Sequence, residues 1–228
     1  MESLTTLAAR IGHVFARPEL LAEAITHPSF ANEHPDNGPD NQRLEFLGDA
    51  VLQLIITDAL YALFPEAQEG ALSRHRSVLT KGRCLTQLAL ELGLDHALRL
   101  GGSEATTGGA TRPSNLEDAF EALVGALYLD AGLETTRALI LASYGPLEPR
   151  LASGLASDNP KGRLQERIQA RAEKPPLRYE TAHISGADHE REFASRLWLG
   201  DELIAEGRGT SKKQAEEAAA RAALEKIA

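Results

Sequence analysis

Apolar residues recur at helical spacing through the first two thirds of the chain. Leu4, Leu7, Ile11, Leu20, Leu21 and Ile25 follow the three-to-four-residue period and predict helical structure over residues 1–30. A polar loop follows at 32–41, punctuated by Pro35, Gly38 and Pro39. The period resumes at 43–63, and further helices are expected near 70–92, 115–130 and 133–149, with glycine pairs such as Gly101-Gly102 and Gly108-Gly109 between them. Alternating β-branched runs are scarce before residue 150, so residues 1–150 read as one all-helical domain. Residues 151–159 are small and polar and read as a linker. Beyond it the pattern changes. Asn159-Pro160 is a helix start, and that helix should stop before Pro175-Pro176. Three short strands are expected at 177–184, 190–199 and 202–207, then an alanine-rich helix at 211–227. The fold class is therefore multidomain: an all-α domain followed by an α-β-β-β-α domain over residues 160–228, without internal repeats.

Composition changes this picture in two respects. A single cysteine, Cys84, precludes an intrachain disulfide and a cysteine-rich zinc module. No cationic start or apolar run suggests a signal peptide, and no stretch reads as a membrane span. The expectation is a soluble, cytoplasmic protein with no membrane partner. The net charge of −9 argues against a nucleic-acid partner, but the charge is unevenly spread. Residues 160–228 hold 13 Lys and Arg against 12 Asp and Glu, a balance of +1, so residues 1–159 carry −10. Binding depends on where charges sit, not on their mean.

Two apolar helices carry paired acids. In the run Arg43-Leu44-Glu45-Phe46-Leu47-Gly48-Asp49, Glu45 and Asp49 are four apart and share a face. Apolar residues occupy nearly every other direction, which marks a buried helix and makes uncompensated carboxylates costly. In the second, Asp118 and Glu121 are three apart, and Ala122, Gly125 and Ala126 would let another helix approach closely. Ser114 and Glu117 fit a capping box, so Glu117 is expected to cap its own helix. Packed together, the two helices would converge four carboxylates, an all-oxygen ligand set suited to Mg²⁺ or Mn²⁺. Glu69 is a possible fifth acid. A pair of this spacing is ordinarily a solvated face; the apolar girdle weighs against that here. Cys84 and the histidines read as core or surface residues.

In the second domain, Ser211-Lys212-Lys213 opens the last helix, where free amide N–H groups and two ammonium groups would bind phosphate. The first helix presents Arg163, Gln165, Glu166 and Gln169, and His189 lies in the loop between the first two strands. Three contact regions on one such unit suit an A-form duplex read by shape and 2′-hydroxyl groups. Taken alone, the Lys-Lys pair would be a solvated helix start.

At these residues the chain resembles the ribonuclease III family. Asn41-Gln42-Arg43-Leu44-Glu45-Phe46-Leu47-Gly48-Asp49-Ala50-Val51-Leu52 is similar to the family signature, and Asp118-Ala119-Phe120-Glu121-Ala122-Leu123-Val124-Gly125-Ala126 to its second acidic helix. Gly207, Gly209, Ser211-Lys212-Lys213, Ala215-Glu216 and Ala219 resemble the double-stranded-RNA-binding domain. The resemblance covers nearly the whole chain. It implies that Glu45, Asp49, Asp118 and Glu121 are metal-binding catalytic acids, that Glu69 is an auxiliary acid near the RNA, and that Phe46 enters a pocket on the partner of a homodimer. It implies an endoribonuclease that hydrolyses double-stranded RNA with Mg²⁺, or Mn²⁺ in its place, and no small-molecule cofactor. Water attacks the phosphate in line, leaving 5′-phosphate and 3′-hydroxyl ends with two-nucleotide 3′ overhangs. Ribosomal and other structured precursor RNAs, messenger RNA among them, are the substrates it implies.

The chain departs from the family in four places, one of them the polar loop 32–41, which is longer than expected. Gln42 stands where Glu is usual, Gly162 where Thr is common, and Gly186-Ala187-Asp188 lacks a Pro that often follows the Gly. The competing class is a non-catalytic double-stranded-RNA-binding protein with a degenerate nuclease domain. That class predicts loss of a core acid, and all four are present.

Overall fold

The structure, a computed structural model, describes residues 4–158, 160–169, 175–185 and 191–226. It divides into two compact units, residues 1–154 and 155–228.

The first unit is helical. The helical stretch expected over residues 1–30 comprises, from residue 4 on, three helices: α1 (Leu4–Ile11), α2 (Pro18–Ala24) and α3 (Pro28–Glu33). Gly12 takes a positive φ of 78° after α1, and Pro18 and Pro28 open the next two helices, where a missing N–H costs nothing. The long core helix α4 spans Gln42–Leu63. The expected helix at 70–92 is divided into α5 (Glu69–Leu79) and α6 (Arg83–Glu91) by a turn at Gly82, φ 54°. The short α7 (Leu94–Ala97) and α8 (Gly102–Thr106) precede α9 (Pro113–Tyr144), which is interrupted by the non-helical Gly132 (φ 77°, ψ 174°). Above that kink Asp130 is buried and ties the 13–17 segment down: it accepts from His13 Nε2 (2.8 Å) and from the backbone N–H of Ala16 (3.0 Å) and Arg17 (2.9 Å).

The segment read as a linker is helical through most of its length, within α10 (Leu147–Asp158). Leu147 and Leu151 are buried one turn apart, and that burial outweighs the polar composition which suggested a flexible strip.

Helix α4 also corrects the membrane reading. Its length of 22 residues and mean hydropathy of 1.5 suffice for a membrane crossing by composition. Here its Leu44, Val51, Leu52, Ile55, Ile56 and Leu60 are buried in the core, chiefly against α9.

The second unit has α11 (Pro160–Gln169), strands β1 (Leu177–Ser185), β2 (Glu192–Leu199) and β3 (Glu202–Gly209), and α12 (Lys212–Lys226). The sheet is antiparallel in the order β1-β2-β3, with Tyr179 opposite Leu197 and Leu197 opposite Ala205. Both helices pack on one face, around Leu164, Ile168, Leu197, Ala205, Ala219, Ala220 and Ala223. A Cβ on Gly207 would lie 2.1 Å from the Ala219 nitrogen, so only glycine lets β3 lie this close to the alanine stripe of α12.

Candidate active site and RNA-binding face

The acids are positioned by a backbone-to-backbone crossing. Where α4 meets α9, a Cβ on Gly48 would fall 1.7 Å from the Glu121 carbonyl oxygen, and one on Gly125 would fall 2.3 Å from the Leu44 carbonyl oxygen. Neither position tolerates a side chain. Glu45 and Asp49 flank Gly48 within one turn of α4, while Asp118 and Glu121 precede Gly125 on α9, so the crossing brings the four together.

Their electrostatics record the convergence. Burial pushes the Glu121 carboxyl up to about 8, and the charges of Asp49, Glu45, Asp118 and Glu117 push the same way. Burial, with Asp118 and Asp49 nearby, raises Glu45. Asp118 is raised by burial and by Glu117, against an opposing pull from His27. Desolvation and like charge both penalise the ionised form, and nearby protein cations do not cancel them. Divalent cation would, and an all-carboxylate set fits Mg²⁺ or Mn²⁺. The side chains themselves are not closed around one point: among the described residues no three His, Cys, Asp or Glu groups are arranged to hold an ion.

Neighbours assign further roles. Gln53, one turn beyond Asp49, donates its amide to both carboxylate oxygens (2.9 and 3.2 Å). The i,i+4 spacing was a sequence signal for this contact, though sequence reasoning did not single it out. Glu117 does not cap its own helix. It accepts from the Gly82 N–H (2.9 Å) and the Thr86 hydroxyl (3.2 Å), and so caps α6; α9 instead opens on Pro113.

Glu69 stands apart from the four. It is exposed at the start of α5, accepts from Ser73 Oγ (2.8 Å), and lines a groove with Thr57, Leu60, Tyr61, Leu72 and Arg76. Thr57 is eight residues along α4 from Asp49, roughly 12 Å of helix. Phe46 is 83% exposed. Its own core does not hold it; it borders a groove of about 640 Å³ lined by Leu20, Glu23, Gln42, Arg43, Leu44, Leu47 and Leu129.

In the second unit Arg163, Gln165 and Gln169 are exposed on α11, and Glu166 lies on the same helix. Ser211 precedes α12 and accepts from the Gln214 N–H (3.2 Å), the geometry of an N-cap. Lys212 and Lys213 are exposed on the first turn. His189 lies outside the described residues.

Two family models match the chain. Residues 17–146 match a family model described as ribonuclease-III-like, and residues 160–227 match one for the double-stranded RNA binding motif. A ribonuclease 3 from Bdellovibrio bacteriovorus is 44% identical over 221 residues, covering 96% of this chain and 94% of that one. A ribonuclease 3 from Carboxydothermus hydrogenoformans is 45% identical over 226 residues, with 98% and 95% covered. Among solved structures, the nuclease domain of ribonuclease III from Campylobacter jejuni, described for flexibility in a region involved in dimer formation, superposes with a TM-score of 0.60. It is 34% identical and covers 64% of this chain and 99% of its own.

Proposed function

The chain belongs to the ribonuclease III family, as an endoribonuclease of double-stranded RNA, and from that premise we propose that Glu45, Asp49, Asp118 and Glu121 form its catalytic centre. The glycine crossing of α4 and α9 carries this reading, because it gathers four carboxylates whose charge calls for a cation. These four would hold Mg²⁺, with Mn²⁺ able to replace it. When bound, such an ion supplies Lewis acidity, lowers the pKa of water and offsets phosphate charge. Gln53 orients the Asp49 carboxylate. Burial and the neighbouring acids raise the Glu121 carboxyl to about 8, and a bound cation would favour its ionised form. Glu69, set apart in its own groove, acts as an auxiliary group toward RNA and not as a ligand.

RNA is gripped by Arg163, Gln165, Glu166 and Gln169 on α11, by His189, and by Ser211, Lys212 and Lys213 at the start of α12. The protein works as a homodimer in which Phe46 of each copy enters the groove of the other, against its leucines. An exposed phenylalanine beside a leucine-lined groove is self-complementary, as a two-fold contact requires. Leu54 and Tyr61, also exposed on α4, extend that stripe by two and four turns. Its substrates are structured precursor RNAs, ribosomal precursors among them, in the cytoplasm.

The test is cleavage of a duplex RNA with and without Mg²⁺. Mg²⁺-dependent products bearing 5′-phosphate and 3′-hydroxyl ends, offset by two nucleotides, support the proposal. Binding without cleavage in Mg²⁺ would establish a non-catalytic RNA-binding protein instead.

A further inference from the structure

A polar network under the sheet of the second unit joins the two elements assigned to RNA. Lys161, in the first turn of α11, places its ammonium 2.6 Å from Glu216 Oε2, on the second turn of α12. The other Glu216 oxygen accepts from the Thr181 hydroxyl on β1 (3.1 Å), which lies 2.9 Å from Ser195 Oγ on β2. Ser195 is fully buried. The same ammonium sits 4.5 Å above the Tyr179 ring. Lys161 is thus held from two sides, and Glu216 is tied to both α11 and the sheet.

The position of this network matters. Glu216 is four residues from Lys212 and three from Lys213, one turn along the same face of α12. Lys161 is two residues from Arg163 and four from Gln165. The ion pair therefore bridges the helix meant to read a minor groove and the helix start meant to meet phosphates across the neighbouring major groove. A duplex presents these features at a fixed separation, and a module that reads shape must match it.

We propose that Lys161 and Glu216 are positioning residues for duplex recognition: their ion pair sets the separation of α11 from the α12 N-terminus, and Lys161 is committed to Glu216 and not to an RNA phosphate. The inference rests on the assignment of RNA to these two helices. The Lys161 hydrogen bond, with help from Thr181 and the charge of Lys212, holds the Glu216 carboxyl below its usual range, so Glu216 keeps its charge at neutral pH.

The test measures binding of a duplex RNA of about 16 base pairs by the full chain, without divalent cation, across a salt series. Lys161→Met should weaken binding severalfold, because α11 and the start of α12 are no longer held at the spacing the duplex presents, while the slope of log affinity against log salt stays parental. The exchange Lys161→Glu with Glu216→Lys should recover most of the affinity that Lys161→Glu alone loses. Lys212→Gln with Lys213→Gln should instead flatten the slope, since each phosphate contact contributes about 0.9. Unchanged affinity in Lys161→Met, or a slope reduced by about one contact, would overturn the inference. So would a folded exchange variant that stays as weak as the single one. If the Lys212, Lys213 variant keeps both affinity and slope, the RNA face itself is misassigned and the inference falls with it.

Discussion

Glu121 bears an unusual charge for a carboxyl group. Its carboxyl is pushed up to about 8 in the folded chain, against 4.5 unperturbed. The folded state therefore holds this proton more tightly than the unfolded one. The resulting stability is fully present below about 4.5 and is lost as pH rises through about 8. Metal-free protein should melt at falling temperature across that window, and Mg²⁺ should restore more stability at pH 8 than at pH 5. Glu121→Gln, which cannot ionise, should flatten the metal-free profile. A profile as steep as the parent's would show that the strain lies elsewhere. Glu69 offers the contrast: exposed and, among the described residues, hydrogen-bonded to Ser73, it should cost far less when replaced. Glu69→Ala should keep measurable Mg²⁺-dependent cleavage under conditions where Glu121→Gln shows none. Equal losses in the two would place Glu69 among the ligands.

At the scale of elements, the crossing of α4 and α9 is what turns two sequence-distant acid pairs into one cluster. Gly48→Ala would drive a methyl group into the Glu121 carbonyl, and overpacking of this kind costs on the order of 1–3 kcal/mol or more. The helices must part, so the variant should lose most of the Mg²⁺-induced rise in melting temperature along with stability. A variant that melts lower yet keeps the full Mg²⁺ response would show that the acids do not depend on this contact. Much of this was legible in the sequence. The carboxylates share faces by helical period, and the small residues around Gly125 announced a close approach. The role of Glu117 was not legible, because its partners Gly82 and Thr86 lie more than thirty positions away, and a local capping box satisfied the same pattern. The division of residues 1–30 into three helices was signalled by Gly12, Pro18 and Pro28, and the apolar period obscured it. The helix over 147–158 was hidden by small polar residues, since two buried leucines suffice to hold it. The tie between Lys161 and Glu216 spans 55 residues and has no periodic signature.

For the whole molecule, the charge asymmetry becomes intelligible. The first unit concentrates the acids proposed to hold cations, and the second carries the lysines proposed to meet phosphate. A duplex with two strands to cut suits the proposed homodimer, which would bring two such centres to one RNA. Phe46→Ala should shift the protein toward monomer in sedimentation, since truncating an interface aromatic costs about 2–4 kcal/mol. It should also yield nicked in place of doubly cut duplex. A Phe46→Ala protein that sediments as a stable dimer would contradict this assembly.

The most direct test of the four-acid centre is cleavage of an end-labelled RNA duplex by the parent and by Glu121→Gln, in Mg²⁺, at concentrations where both bind the RNA equally. The parent should cut both strands and the variant neither, with its affinity unchanged, because the substitution removes an acid from the α4–α9 cluster and nothing from the RNA-binding face. Cleavage by Glu121→Gln at the parental rate would contradict the assignment of the chemistry to these four acids.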